Sequence, residues 1–134
     1  MSFRVLIIDD EPQIRRALER ALRHEGFEAI AVASGESAHA ILSETPVDAI
    51  LIDLFLPQIS GVVLSLALMR RWPALRGRIV FMSGSPELYE TEWPEELRNA
   101  PILVKPFQLE ELVGVLARVL PKQGHPPREA SGGQ

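Results

Sequence analysis

Short, continuous apolar runs punctuate this chain, each followed by a stretch of helical periodicity, at intervals of roughly 20–30 residues. The first run, Phe3-Arg4-Val5-Leu6-Ile7-Ile8, lacks the alternation of a half-exposed strand. It reads as a strand buried on both faces, as in a parallel sheet. It stops at Asp9-Asp10-Glu11, and Pro12 then takes a favoured first helical position. Ile14, Ala17, Leu18, Ala21 and Leu22 follow at helical spacing until Gly26 ends the helix. Phe27 to Ala33 is a second strand, and Ser34-Gly35 opens a helix carrying Ala38, Ile41 and Leu42 that stops near Pro46.

The unit repeats in the second half. Ala49 to Ile52 is a strand ending in Asp53, followed by a loop over Leu54 to Ser60 and a helix from about Gly61 to Trp72. Arg78 to Met82 is a fourth strand, ending in Ser83-Gly84-Ser85. The stretch after Pro86 is helical by composition, but Pro94 should break or restart it. Ile102 to Val104 is a fifth strand, ending in Lys105-Pro106, and Leu109, Leu112, Val113, Leu116, Val119 and Leu120 give the clearest amphipathic helix. Five strands alternating with five helical segments, the fourth interrupted, predict an α/β fold: one doubly wound, five-stranded parallel sheet with helices on both faces. The domain is expected over residues 1–120, with 121–134 a flexible tail or linker of Pro, Gly and Ser character.

Composition narrows the function classes. A length of 134 residues and 46% hydrophobic content suit one domain with a sizeable core. The absence of cysteine excludes a disulfide framework, a thiolate zinc site and a cysteine nucleophile, and it fits a reducing compartment. The longest apolar stretch, Gly61 to Met69, is too short to span a bilayer. The N-terminus enters a strand-like run with no charged-then-apolar leader, so a cytoplasmic location is expected. A net charge of -4 gives no reason to expect nucleic acid as a direct partner. More informative is what is scarce. Of 18 acidic residues only four are aspartate (Asp9, Asp10, Asp48, Asp53), and of 14 basic residues only Lys105 and Lys122 are lysine.

In open parallel sheets, ligands bind outside the carboxyl ends of the strands. Those ends carry Asp9-Asp10, Asp53, Ser83 and Lys105. Clustered carboxylates without His or Cys companions suit a hard, oxygen-seeking cation such as Mg²⁺, which takes few protein carboxylates and completes its shell with water and phosphate oxygens. A carboxylate can also attack phosphorus, forming an acyl phosphate. Ser83 and Lys105 would then face the phosphoryl oxygens. The set suits metal-assisted phosphoryl transfer onto an aspartate.

Over residues 3–120 the sequence resembles the receiver domain of two-component response regulators, a flavodoxin-like fold. The matching pieces are Val5-Leu6-Ile7-Ile8-Asp9-Asp10-Glu11, Asp53 through Gly61, Met82-Ser83-Gly84 and Lys105-Pro106-Phe107. The resemblance implies roles residue by residue. Asp53 matches the phosphoacceptor, taking its phosphoryl group from a histidine kinase or histidine phosphotransfer protein. Asp10 and Asp53 match Mg²⁺ ligands together with the backbone carbonyl of Phe55, with Asp9 acting through water. Ser83 matches the hydroxyl that turns to the phosphoryl oxygens, Lys105 the cation that meets them, and the Lys105-Pro106 bond is expected to be cis. Output is expected through contact with a downstream protein.

The sequence departs from the family at two places that bear on output. Ile102 stands three residues before the lysine, where the family usually has Tyr or Phe, and Pro94 splits the fourth helix. Signalling is therefore expected to leave by a route other than a rotating aromatic at 102. Phe55 and Ser85 occupy the positions that modulate dephosphorylation in the family, and a bulky Phe55 should slow an attacking water. Two other classes share part of this pattern. A phosphate-independent pseudo-receiver is opposed by the complete set Asp9, Asp10, Asp53, Ser83 and Lys105, although Ile102 keeps it open. An aspartyl-phosphate phosphatase would want a second Asp where Phe55 stands. Asp48 reads as a turn residue, Trp72 and Trp93 as packing residues, and His24, His39 and His125 as solvent-facing, with no ligand spacing. Arg70-Arg71 reads as a solvated helix end.

Overall fold

A computed structural model describes residues 2–88 and 92–121. The predicted tail, with Lys122 and His125, lies outside the described residues. Five strands, β1 (Arg4–Ile8), β2 (Glu28–Val32), β3 (Ala49–Asp53), β4 (Ile79–Ser83) and β5 (Ile102–Val104), form one sheet. All its pairings are parallel, in the order β2-β1-β3-β4-β5. The reversal of direction at β1 places β1 and β3 side by side at the centre, and a crevice opens at their carboxyl ends. Both strands are almost wholly buried, which is why their sequences are continuous apolar runs.

Strand alternation sorts the core into two layers. Leu6, Ile8, Ile50, Ile52, Ile79 and Phe81 pack beneath α2 (Gly35–Glu44) and α3 (Gly61–Arg71). Val5, Ile7, Leu51, Val80, Met82 and Leu103 pack beneath α1 (Pro12–His24) and α4 (Leu109–Val119). Pro12 opens α1 as its sequence suggests, and Gly26 follows its end with φ of 95°, a left-handed turn that suits glycine. Ser34 and Ser60 cap α2 and α3 by accepting from the amides of Ser37 and Val63. On α4 the Glu111 carboxylate accepts from the Gln108 amide at 2.9 Å, one half of a capping box. Among the described residues no helix is long and apolar enough to cross a membrane.

One expectation needs correction. The sequence predicted five helical segments, but the described residues form four α-helices. Between β4 and β5 they form only single 3-10 turns, Pro86–Leu88 and Glu95–Leu97. Pro94, with φ of −60° and ψ of 151°, sits in extended backbone immediately before the second turn. Its ring leaves no amide for a helix to use and clashes with the preceding turn, so the interruption is complete over the described residues. The β4 boundary also moves by one residue, so that Ser83 is the last residue of the strand.

Candidate functional site

The register of the sheet assembles the site. Ile8 of β1 pairs with Ile52 of β3, so the next residues, Asp9 and Asp53, emerge side by side. Asp53 pairs in turn with Met82, and Met82 with Leu103. Lys105 lies two residues beyond Leu103, and its amide donates to the Ser83 carbonyl at 2.9 Å. By the two-residue alternation of strands, Asp9, Asp53 and Lys105 share the face of Val5, Leu51 and Leu103. Ser83 shares the opposite face with Phe81.

That shared face brings the three charges into contact. The Lys105 ammonium donates to Asp53 Oδ2 at 2.6 Å and to Asp9 Oδ2 at 3.0 Å, with Glu11 Oε1 at 4.0 Å. The second oxygen of each aspartate is held by backbone: Asp53 Oδ1 accepts from the Phe55 amide and Asp9 Oδ1 from the Glu11 amide, each at 2.8 Å. Both carboxylates are buried, Asp9 completely. Arg15 pins the backbone beneath them, its Nη1 donating to the Asp9 carbonyl at 2.7 Å.

Burial pushes the Asp53 carboxyl above the ordinary carboxylate range. The bonds from Lys105 and from the Phe55 amide pull the other way and offset it only in part, and the charge of Asp9 adds to the rise. For Lys105, burial works to lower the value, but the hydrogen bonds to Asp53 and Asp9 outweigh it and hold the ammonium above an ordinary lysine. Two buried carboxylates thus share one half-buried cation.

The remaining predicted residues are placed differently. Asp10 is exposed and has no hydrogen-bond partner among the described residues. Ser83 is buried, and its hydroxyl accepts from the Ser85 amide at 3.0 Å rather than meeting the aspartates. Phe55 is 42% exposed and bridges back to Ser60 across the loop that follows β3. The Lys105-Pro106 bond is cis, as expected. Among the described residues no three His, Asp or Glu side chains converge as a closed metal cage. What the edge offers is carboxylate and carbonyl oxygen with no nitrogen or sulfur ligand. Such a partial, all-oxygen set fits a Mg²⁺ ion that keeps much of its shell as water.

Two contributors were not singled out by sequence reasoning. At Gly61, a side-chain Cβ would run into the backbone oxygen of Asp53 and come 3.1 Å from Leu54 Cα, so α3 can approach the end of β3 only through glycine. The signal was present, since Gly61 closes the quoted Asp53–Gly61 piece. An apolar groove of about 400 Å³ also adjoins Lys105, lined by Ile14, Ala17, Leu18, Pro106 and Phe107. Asp48, read as a turn residue, is buried, and its Oδ2 accepts from the Arg4 amide at 2.7 Å. His39 is exposed, with its ring edge-on to Trp72 at 4.9 Å, and the Arg71 guanidinium lies over the same Trp72 ring.

Comparison with known proteins agrees with this fold. A family described as "Response regulator receiver domain" matches residues 5–117. The response regulator receiver protein CpdR of Brucella abortus is 30% identical over 87% of this chain and 96% of its own length. The phosphate regulon transcriptional regulatory protein PhoB of Pseudomonas aeruginosa is 32% identical over 94% of this chain. There, however, the chain spans only 55% of the relative. Among solved structures, the response regulator TrrA of Thermotoga maritima in complex with Mg(2+)-BeF superposes with a TM-score of 0.74 at 26% identity, covering 90% of this chain and all of that one. TrrA has also been solved in complex with the histidine kinase ThkA. The fold, the ordered strand-end residues and these matches together establish that the chain belongs to the response regulator receiver domain family of two-component signalling.

Proposed function

We propose that the chain is a phosphoacceptor: Asp53 takes a phosphoryl group from a phosphohistidine on a histidine kinase or phosphotransfer protein, and the modified domain signals by protein contact. One observation carries the reading, the Lys105 ammonium bridging Asp53 and Asp9 at the carboxyl edge of the sheet. An Asp53 oxygen attacks phosphorus and forms the P–O bond. The P–N bond breaks, its electron pair goes to the imidazole nitrogen, and that nitrogen takes a proton from water. Lys105, already 2.6 Å from Asp53, lies beside the charge that develops on the phosphoryl oxygens, and Ser83 is the hydroxyl nearest in the register.

Asp10, Asp53 and the Phe55 carbonyl would hold Mg²⁺, with Asp9 acting through water; the ion, when bound, supplies positive charge against the phosphoryl oxygens. The complex of TrrA with Mg(2+)-BeF supports this assignment by analogy, and its complex with ThkA supports a kinase as donor. The apolar groove beside Lys105 gives such a donor a surface to dock on. Incubation with Mg²⁺ and acetyl phosphate, followed by intact mass, tests the reading. One phosphoryl adduct that Asp53→Asn abolishes is expected, and no adduct from acetyl phosphate or from a phosphorylated kinase overturns it.

A further inference from the structure

In a doubly wound sheet a helix between β4 and β5 covers the face of β5 that carries Ile102 and Val104. Here those side chains remain 38% and 54% exposed. They pair in register with Phe81 and Ser83 of β4, so all four lie on one face. The connection puts Trp93 on that face instead: its ring stands edge-on to Phe81, with centroids 5.3 Å apart at 72°. Leu97 plugs the core beside it. At the start of the connection, the Ser85 amide donates to the Ser83 hydroxyl. The connection is thus fastened to one face of β4 at two points two residues apart, Ser83 and Phe81.

Resting on the reading of Asp53 as phosphoacceptor and Ser83 as its hydroxyl partner, we propose that the Trp93–Phe81 contact is the element that carries phosphorylation outward, in place of the aromatic absent at Ile102. A phosphoryl group on Asp53 offers strong acceptors to the Ser83 hydroxyl. As that hydroxyl turns, the Ser85 amide loses its acceptor and the start of the connection shifts. Phe81 cannot follow: it is fully buried in a strand paired on both sides. The connection has only single 3-10 turns among its described residues, so it is the side that moves. Trp93 leaves Phe81, and the apolar strip Ile102–Val104 beside it changes its exposure to a partner. A two-state contact of this kind turns a local charge event into a surface change.

The chain has two tryptophans, so a Trp72→Phe background leaves Trp93 as its only tryptophan, read under tryptophan-selective excitation. The probe is Mg²⁺ with beryllofluoride, and occupancy is read separately from bound fluoride by ¹⁹F NMR. Trp93 emission should red-shift and its quenching by acrylamide should rise as fluoride binds, and neither should change in Asp53→Asn. Coupling is reciprocal, so Trp93→Ala should tighten beryllofluoride binding by about fivefold, the lower end of ordinary allosteric couplings, and Trp93→Phe should return it to the original value. Bound fluoride with unmoved Trp93 emission and quenching overturns the proposal while leaving the phosphoacceptor reading intact. Absence of both bound fluoride and a phosphoryl adduct overturns the phosphoacceptor reading, and this proposal with it.

Discussion

Strand β3 is flanked by two buried aspartates that do opposite things. Asp48, just before the strand, gives its Oδ2 to the Arg4 amide at 2.7 Å, while its carbonyl accepts from Arg78 Nη1 at 3.3 Å. Both partners belong to neighbouring strands or their edges, so Asp48 ties the amino ends of β1, β3 and β4 together. Asp53, at the other end, has one oxygen on backbone and the other on the ammonium of a long, rotatable side chain. Its burial raises its proton affinity, a cost to the unmodified fold. The same residue type, buried at both ends of one strand, closes the fold where its partner is fixed backbone. It is available for chemistry where its partner is a side chain that can turn to a new ligand.

The largest expected contrast is in chemistry. Asp53→Asn should lose phosphoryl uptake entirely by intact mass, whereas Asp48→Asn should retain it; uptake lost in both would erase the distinction between the two ends. Stability should invert the ranking. Asp48→Ala leaves the part-buried Arg4 amide without its acceptor and should cost about 1–2 kcal/mol in urea denaturation. A change in Asp48→Ala no larger than that of an exposed alanine substitution would show that Asp48 does not close the sheet.

This division was only half legible in the sequence. The placement of the candidate site was readable because each feature there is local: an apolar run stops abruptly and a scarce residue type follows. Parallel pairing then brings Asp9, Asp53 and Lys105 to one edge without any further information. The structural end was not readable, because the bond between Arg4 and Asp48 joins residues 44 apart and neither lies in a motif. The rarity of aspartate was the available hint, and an Asp directly before a buried strand fits a turn equally well. Pro94 announced the loss of the fourth helix, but Trp93 as its substitute over Phe81 depends on tertiary packing that no spacing encodes. The one-residue shift of β4 matters for the same reason. It places Ser83 within the strand, on the face of Phe81, and alternation then separates it from the face of Asp53 and Lys105.

A third buried polar group separates burial from pairing. Ser65 of α3 is fully buried, and its hydroxyl has no hydrogen-bond partner among the described residues. If pairing rather than polarity makes Asp48 stabilising, Ser65→Ala should gain about 1 kcal/mol, because it removes an unsatisfied group with little change of volume. A loss of similar size on thermal or urea denaturation would mean that the hydroxyl is paired in solution and that polarity itself is used in this core.

The smallest effect concerns pH, and its sign separates the two members of the Asp53–Lys105 pair. The folded pKa of Asp53 is raised, so between its unfolded and folded values the native state binds more protons than the unfolded chain. Ionised Asp53 therefore opposes folding at neutral pH, and the opposition fades as pH falls through that window. Lys105 is also raised, but for a base this is favourable: its contribution is complete below the unfolded lysine value and is lost as pH climbs through the folded one. Asp53→Asn removes the acid-side term and leaves Lys105 paired with Asp9. It should match or exceed the parent in stability at pH 7, by about 1 kcal/mol or less. It should also flatten the dependence on pH just above the ordinary aspartate range. Urea titrations of the two proteins from pH 4 to pH 8 measure the Asp53 arm, and the Lys105 arm, which lies above the ordinary lysine value, leaves that range flat. A variant less stable than the parent at pH 7 would show that the ion pair with Lys105 outweighs the cost of burying Asp53. The carboxyl end of β3 would then be held by its charge in the way the amino end is held by its backbone bond.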